Sequence, residues 1–428
     1  MKRMWLGALA MAALLLLSGY ARADVCQPCA GAQVEDPKLH GRSLKSYWGV
    51  AHATKPPDKE VLDKAFTQGH LALCGTPDQW EWNMFMGMLA AEMEKFEQAG
   101  CYFDQALKNS EGKDREKVVN NRGSFWVDHY NKALDYFKKE AYDPAITEAD
   151  IAILIAPDSC KAYNIKGSAL SKLNRQADAI PALKAGLEAC PDHDGLKRNI
   201  VNAYQEQADA KFLEAGKVKD DSARTRLFRE AIVWYEQVDQ VKPDDPNVQY
   251  QIGASYAQLA FAGDSTKIAP ARDNLTRFLG VAETSEDKLA VLYQLSMLEI
   301  EAKDYAKAGE YCDQFIAAGP RDPDGYRLKA NIIRMAGDAA KAESYIILYN
   351  GLAKGKAVNA DSLQGLPKYK GSDLGKVIGE SGLPEEFRSY TDSSGNNMDS
   401  AFYWSKGQAI AFYGGQKRGE VTFPPPKD

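Results

Sequence analysis

The side chains best suited to chemistry in this 428-residue chain are its seven cysteines. Cys26 and Cys29 form a C-x-x-C pair, and the other five lie singly at positions 74, 101, 160, 190 and 312. A redox C-x-x-C opens a helix within a βαβ unit, and no such pattern follows here. Attachment of c-type haem needs a histidine at position 30, which is alanine. The pattern favours structural disulfides, in which Cys26 and Cys29 bond to each other or to Cys74.

Other sequence patterns of catalysis and metal binding are missing. The sequence contains no HExxH, no GxSxG, no glycine-rich phosphate loop and no second cysteine pair at zinc spacing. The adjacent acids Glu385 and Glu386 would point to opposite faces of a strand, which prevents them from acting as a catalytic pair. We therefore expect no enzyme, no catalytic residues, no cofactor and no metal site.

The N-terminal residues have the pattern of a secretory signal. Two basic residues precede an apolar run of 14 residues, and the sequence Ala-Arg-Ala at 21–23 fits the small-x-small cleavage rule. A transmembrane helix needs about 20 apolar residues, so the run is too short to span a bilayer. We expect residues 1–23 to be a signal peptide cleaved after Ala23. The mature chain would then be periplasmic, without an integral membrane segment.

The charge balance of the chain is acidic. Lysine plus arginine is 53 against 59 acids, a net charge of −6, and loss of the three basic residues in the leader would change it to −9. Nucleic-acid-binding proteins gain affinity from basic patches that neutralise phosphates, and this sequence has no basic block. We expect no nucleic-acid partner.

A 34-residue repeat organises most of the sequence. Counted from Cys160, positions 4, 8, 20, 24, 27 and 32 carry an aromatic residue, glycine, alanine, leucine, glycine and proline. These residues are Tyr163, Gly167, Ala179, Leu183, Gly186 and Pro191. The preceding 34 residues follow the same scheme without a gap. Small residues at positions 8, 20 and 27 let two helices approach closely, and the proline ends the second helix.

This pattern resembles the tetratricopeptide repeat. The resemblance implies an all-α fold, a right-handed superhelical α-solenoid of helix pairs in which each pair has a first helix, A, and a second helix, B. About eight copies can be placed over residues 46–352. An insertion at about 211–226 should lengthen both helices of its copy, and residues 114–125 should lengthen one helix A. Residues 24–45 remain as an N-terminal segment that contains the C-x-x-C.

The C-terminal residues leave the repeat. Residues 353–373 are rich in glycine, lysine and polar side chains and are predicted to be a linker. Residues 374–428 are predicted to form a short helix and three aromatic strands in an antiparallel β meander. This run resembles the small SmpA/OmlA modules of bacterial envelope proteins. It is either an independent α+β domain or a cap on the last repeat helix.

The repeat frame places two further cysteines together. Cys160 is at position 1, the start of helix A, and Cys190 is at position 31, the end of helix B. Antiparallel helices bring these ends close, within the roughly 4.4–6.8 Å Cα separation of a typical disulfide. We therefore predict a Cys160–Cys190 disulfide, and a buried free thiol for Cys312 at position 24. The pairing of Cys26, Cys29, Cys74 and Cys101 stays open.

In tetratricopeptide proteins, positions 2, 5, 9 and 12 of helix A line a concave groove that binds partners. The corresponding residues are Lys161, Asn164, Arg198, Asn202, Gln205, Asn247, Tyr250, Arg327, Asn331 and Arg334. Two Arg-x-x-x-Asn pairs among them resemble part of the family's carboxylate clamp. The polar, cationic stripe implies a protein or an extended acidic peptide as partner.

The resemblance implies a function in protein–protein interaction. We expect an exported scaffold that takes part in assembly of the bacterial cell envelope. The alternatives are a structural subunit of an envelope complex, or an enzymatic or redox activity of the C-terminal module or of the Cys26/Cys29 pair.

Overall fold

The computed structural model describes Cys26, residues 34–363 and residues 370–425. The predicted signal peptide and Cys29 lie outside the described residues. The described chain forms two compact units, one up to Tyr204 and one from Gln205 onwards. Both are built from helix pairs, and the second unit also contains a small β-sheet.

The first unit contains four complete helix pairs. They are α1 Pro37–Ala51 with α2 Lys59–Gly75, α3 Trp80–Glu92 with α4 Phe96–Lys108, α5 Gly112–Lys138 with α6 Tyr142–Ile155, and α7 Cys160–Lys172 with α8 Gln176–Ala189. Helix α9, Asp194–Lys217, begins in this unit. Helix α5 has 27 residues, so residues 114–125 do lengthen this helix A.

The first helix pair begins earlier in the chain than the repeat pattern predicts. Helix α1 starts at Pro37, whereas the repeat pattern predicts a first copy over 46–79. The Asp36 carboxylate accepts a hydrogen bond from the Leu39 amide, and proline at the first helical position fits a helix start. The two prolines at 56 and 57 lie in the loop before α2. Residues 24–45 are therefore not a separate segment, because α1 occupies their C-terminal part.

The second unit contains the remaining pairs. Helix α10, Asp221–Val241, follows α9, and the next pairs are α11 Pro246–Phe261 with α12 Ile268–Val281, α13 Ser285–Glu301 with α14 Tyr305–Ala318, and α15 Pro323–Met335 with α16 Ala339–Lys354. The insertion at 211–226 lengthens α9 to 24 and α10 to 21 residues. Phe212 and Ala215 of the α9 extension share a hydrophobic cluster with Phe228 of α10 and Leu259 of α11, so the lengthened end of α9 belongs to the hydrophobic core.

In three pairs the helices approach through a glycine at repeat position 8, which is Gly87, Gly167 or Gly253. Three other pairs have a small residue there, which is Ala133, Ser296 or Ala330. A methyl group on Gly167 would overlap the Leu183 side chain. A Cβ on Gly87 would lie 2.9 Å from the ring of Phe103, which occupies position 24 of its copy as Leu183 does. Such distances are shorter than carbon–carbon van der Waals contact, so a larger residue at Gly87 or Gly167 would force the facing side chain to shift. The packing that the repeat pattern predicts is the packing in the structure.

The turn from helix A to helix B also has a fixed geometry. Its central residue lies in the left-handed region, with φ between 57° and 98°, in six pairs. These residues are Glu94, Glu140, Asn174, Gly263, Lys303 and Gly337. The amide that follows each of them donates to a carbonyl five residues earlier, as from Arg175 to Leu170 at 2.9 Å. This is the helix-ending Schellman arrangement, which glycine adopts at least cost.

The C-terminal sheet has five strands in the order β1-β2-β3-β4-β5, and neighbouring strands are antiparallel. The strands are β1 Lys356–Ala357, β2 Glu386–Thr391, β3 Asn397–Tyr403, β4 Gln408–Tyr413 and β5 Gln416–Thr422, and helix α17 spans Asp373–Ser381. The meander therefore has two more strands than the predicted three. The short strand β1 lies in the segment predicted as a linker.

The sheet packs between two helices. Phe402 and Val421 on one face share a hydrophobic cluster with Leu348 of α16. Phe387 and Phe412 on the other face pack with Leu374 of α17. Since the apolar face of the last repeat helix is covered by the sheet, the module occupies the position of a cap.

The fold class is the predicted one, all-α helix pairs followed by a small antiparallel sheet. Across the described ranges, none of the helices offers an apolar stretch that would reach through a bilayer.

The left-handed turn residues give a stability prediction. Glu140→Gly should raise the free energy of unfolding by about 0.5–1 kcal/mol, because an L-residue pays about 1–2 kcal/mol in this region and glycine does not. Glu116→Gly, at an exposed position inside the preceding helix α5, is the matched control and should lower the free energy of unfolding by about 1 kcal/mol. Urea unfolding measures both, and equal destabilisation by the two variants would contradict the turn argument.

Candidate functional site

The predicted binding residues all lie on first helices of the pairs. We call the surface that these helices form within one unit its A surface. Lys161, Asn164, Arg198 and Asn202 belong to the first unit, on α7 and α9. The second unit holds Gln205, Asn247, Tyr250, Arg327, Asn331 and Arg334, on α9, α11 and α15.

On the A surface of the first unit, aromatic and cationic groups lie together. The Trp126 and Tyr130 rings of α5 stack with centroids 5.1 Å apart. The Lys161 Nζ of α7 lies 5.9 Å from the Tyr130 ring centroid. Such a platform can hold the extended backbone or an apolar side chain of a peptide, while the ammonium attracts anions.

A hydrogen-bonded amide group joins α7 to α9 on the same surface. The Asn199 Nδ2 donates to the Asn164 Oδ1 and to the Ser168 Oγ, each at 2.8 Å. Asn164 is therefore fixed by its neighbour, and the predicted site residue is partly used within the fold. Arg198 and Asn202, one turn apart on α9, are both exposed. Among the described residues, Arg198 has no carboxylate partner.

The same contact between successive first helices recurs in the second unit. The Gln294 Nε2 donates to the Tyr250 hydroxyl at 3.0 Å, and the Tyr250 ring lies 5.0 Å from Phe278. In both units a residue at position 5 meets a residue at position 6 of the following copy. Polar residues at positions 5 and 6 of successive copies are the sequence signal for this contact.

The Arg327 and Asn331 side chains of α15 each have a partner on their own helix. Arg327 instead makes an ion pair with Asp324, with 2.8 Å between nitrogen and oxygen. The Asn331 Oδ1 accepts a hydrogen bond of 2.6 Å from Arg334. Each guanidinium thus contacts a side chain one turn away on its own helix. The Arg-x-x-x-Asn spacing in the sequence does not exclude such contacts. The cationic character of this part of the stripe is correspondingly reduced.

A groove of about 580 Å³ opens on the A surface of the second unit. Helices α13 and α15 and the end of α14 line it with Glu286, Leu289, Ala290, Tyr293, Gln294, Phe315, Asp322 and Asp324. Its three charged residues are all acids. Asp324 is at position 2 of the last copy, which the predicted stripe did not include, and the stripe residues Arg327, Asn331 and Arg334 are not among those that line this groove.

The cysteines are used in structural disulfides. Cys26 bonds to Cys101, with 5.8 Å between the Cα atoms, and Cys74 is also disulfide-bonded. The prediction that Cys26 bonds to Cys29 or Cys74 is therefore wrong. The reason is packing, because Cys26 and Cys101 lie in the buried core of the first helix pairs. Cys26 is not available as one thiol of a redox C-x-x-C.

The structure places Cys160 and Cys190 in a disulfide with a Cα separation of 5.8 Å. Cys160 begins α7 and Cys190 follows the last residue of α8. Cys312 is a buried free thiol, and its burial raises the pKa of the thiol to about 12. A thiol with this pKa is inert at neutral pH. Within the described ranges, no group of three metal-ligating side chains is present.

The Cys160–Cys190 disulfide predicts a measurable stabilisation. Replacing both cysteines by alanine should lower the free energy of unfolding by roughly 3 kcal/mol, since the bridge closes a loop of 30 residues in the unfolded chain. Denaturant unfolding of the variant and the parent measures this difference. Peptide mapping without reductant should show one linked peptide pair carrying both residues, and two unlinked peptides would contradict the pairing.

Comparison with known proteins identifies the repeat. The tetratricopeptide-repeat family model matches residues 161–193, which are helices α7 and α8. The search of curated proteins finds no match.

Several solved structures are similar to this chain. A thermophilic tetratricopeptide-repeat protein of Thermus thermophilus is 17% identical with a TM-score of 0.24, over 49% of this chain and 99% of its own. The pilF protein of Pseudomonas aeruginosa is 17% identical with a TM-score of 0.25, over 55% and 95%. A tetratricopeptide-repeat protein of Parabacteroides merdae is 12% identical with a TM-score of 0.22, over 68% and 99%. At these values the structures do not bear on the function of this chain.

Proposed function

We propose that this tetratricopeptide-repeat protein is an exported, non-catalytic scaffold of the bacterial cell envelope. It binds an extended, acidic segment of a partner protein on the A surface of its first unit. The repeats themselves support a function in protein–protein interaction.

One observation carries the choice of an acidic segment. Lys161 and Arg198 are exposed on first helices of successive pairs, and neither has a carboxylate partner among the described residues. A guanidinium binds carboxylates through two parallel hydrogen bonds, and the Tyr130 ring beside Lys161 provides an apolar contact for the segment between two acids. The amides of Asn164 and Asn199 are fixed between these cations and order the surface before a ligand arrives.

The cysteine chemistry supports export. Five of the six cysteines among the described residues are in disulfides, and only Cys312 is a free thiol. Disulfides persist in the periplasm and in secreted proteins, whereas the cytosol reduces them. The leader pattern at 1–23 and the resemblance of the C-terminal run to SmpA/OmlA modules favour the envelope of a diderm bacterium.

The export proposal predicts a defined mature N-terminus. When the full sequence is expressed in a diderm bacterium, osmotic shock should release a product that begins at Asp24, as measured by intact mass. Ala23→Arg should leave an uncleaved precursor, because the residue before the cleavage site must be small. Arg22→Gln is the control and should be processed normally. A full-length product in the cytosol would contradict export.

The binding proposal is tested with a fluorescein-labelled decapeptide of alternating alanine and glutamate. Fluorescence anisotropy at low salt should give a Kd about tenfold higher for Lys161→Ala with Arg198→Ala than for the parent, because two charge contacts are lost. Added salt should weaken binding to the parent as well.

The matched control is Lys108→Ala with Lys184→Ala. It removes the same charge from exposed positions on the second helices α4 and α8. The control variant should bind like the parent, and both variants should keep the parent Tm. Equal weakening by the two double variants would show a general charge effect and would end the proposal of a site on the first unit.

A further inference from the structure

The groove on the A surface of the second unit differs in charge from the surface proposed above. Its apolar part consists of Leu289, Ala290 and the Tyr293 ring, whose centroid lies 6.2 Å from that of Phe315. Its acidic part consists of Glu286 at the start of α13 and of Asp322 and Asp324 at the start of α15. The two parts face the same space of about 580 Å³.

The negative charge of the groove is only partly balanced within the fold. Asp324 pairs with Arg327 at 2.8 Å. Asp322 accepts a hydrogen bond of 2.9 Å from the Asp324 amide as the cap of α15, and it has no cationic partner among the described residues. The same holds for Glu286, which is exposed. Two carboxylates therefore remain for a ligand.

A third polar group lines the groove. Gln294 donates its Nε2 hydrogen to Tyr250, whereas its buried Oε1 accepts no hydrogen bond among the described residues. Buried polar atoms normally have a partner, so this oxygen is an acceptor that a donor from a ligand can satisfy. Carboxylates and a free carbonyl oxygen are all acceptors, and the matching ligand is a hydrogen-bond donor with positive charge.

We propose that this groove binds a lysine- or arginine-bearing segment of a partner protein. The aliphatic stem of such a side chain packs on Leu289 and Tyr293, and its charged end reaches Glu286 and Asp322. The Tyr293 ring adds a cation–π contact. A volume of about 580 Å³ exceeds one side chain and accommodates a short segment. The inference goes beyond the proposed function, because it concerns another surface and a ligand of opposite charge.

The test uses the full mature chain and two labelled decapeptides, one alternating alanine with lysine and the other alternating alanine with glutamate. The variant is Glu286→Gln with Asp322→Asn, in which asparagine keeps the capping oxygen of α15. Its Kd for the lysine peptide should be at least about fivefold higher than that of the parent. Its Kd for the glutamate peptide should not rise.

The matched control is Glu301→Gln with Asp338→Asn. Both residues are exposed and lie outside the groove, and Asp338 caps α16 as Asp322 caps α15. This variant loses the same charge and should bind the lysine peptide like the parent. Tyr293→Leu should raise the Kd for the lysine peptide about threefold, measured at a temperature where circular dichroism shows the variant to be folded, because Tyr293 also packs on Phe315.

Three results would overturn the inference: no binding of the lysine peptide to the parent, an unchanged Kd in the groove variant, or an equal rise in the control variant. These failures are distinct from failure of the proposed function, which is measured with the glutamate peptide and the variants at Lys161 and Arg198. If one of these three results occurs while the glutamate peptide still binds, the proposed function of the first unit stands and only the groove proposal is rejected.

Discussion

The close approach of the two helices in each pair is the constraint on which the other features depend. In most pairs a small residue at position 8 lets the helices come close, and the large residue at position 24 fills the space beside it, as Leu183 does over Gly167. With the helices at this distance, the connecting turn has room for only a few residues. It closes through a left-handed residue and a backbone hydrogen bond five residues back.

This spacing also determines what the first helices can present. Since position 8 faces helix B, positions 5 and 9 face the next first helix and the solvent. Asn164 and Tyr250 at position 5 therefore meet Asn199 and Gln294 at position 6 of the following copies. These hydrogen bonds hold the side chains at positions 5 and 6 in place, and the exposed groups of the first helices lie between them. The proposed binding surface is thus a consequence of the packing inside each pair.

The repeat could be predicted from the sequence because its constraints are local. Glycine, alanine and proline at fixed positions identify helices α3 to α16 and the packing between them. The predicted first pair begins too late because Asp36 and Pro37 start a helix that carries none of the small-residue pattern at the expected positions. Partners that lie in different copies of the repeat could not be predicted. Cys26 meets Cys101 across 75 positions, and the buried Glu299 is neutralised by Arg272 of the preceding pair.

The sign of the charge on each A surface was the least predictable property, and the reason is physical. Whether a cation is available to a ligand depends on neighbours one turn away and on the next helix. Lys161 and Arg198 have no such carboxylate among the described residues, whereas Arg327 has Asp324. A sum of all charges at the predicted groove positions counts Lys161, Arg198 and Arg327 equally. A sum over only the charged side chains that lack an ion-pair partner among the described residues gives a positive A surface in the first unit and a negative groove in the second.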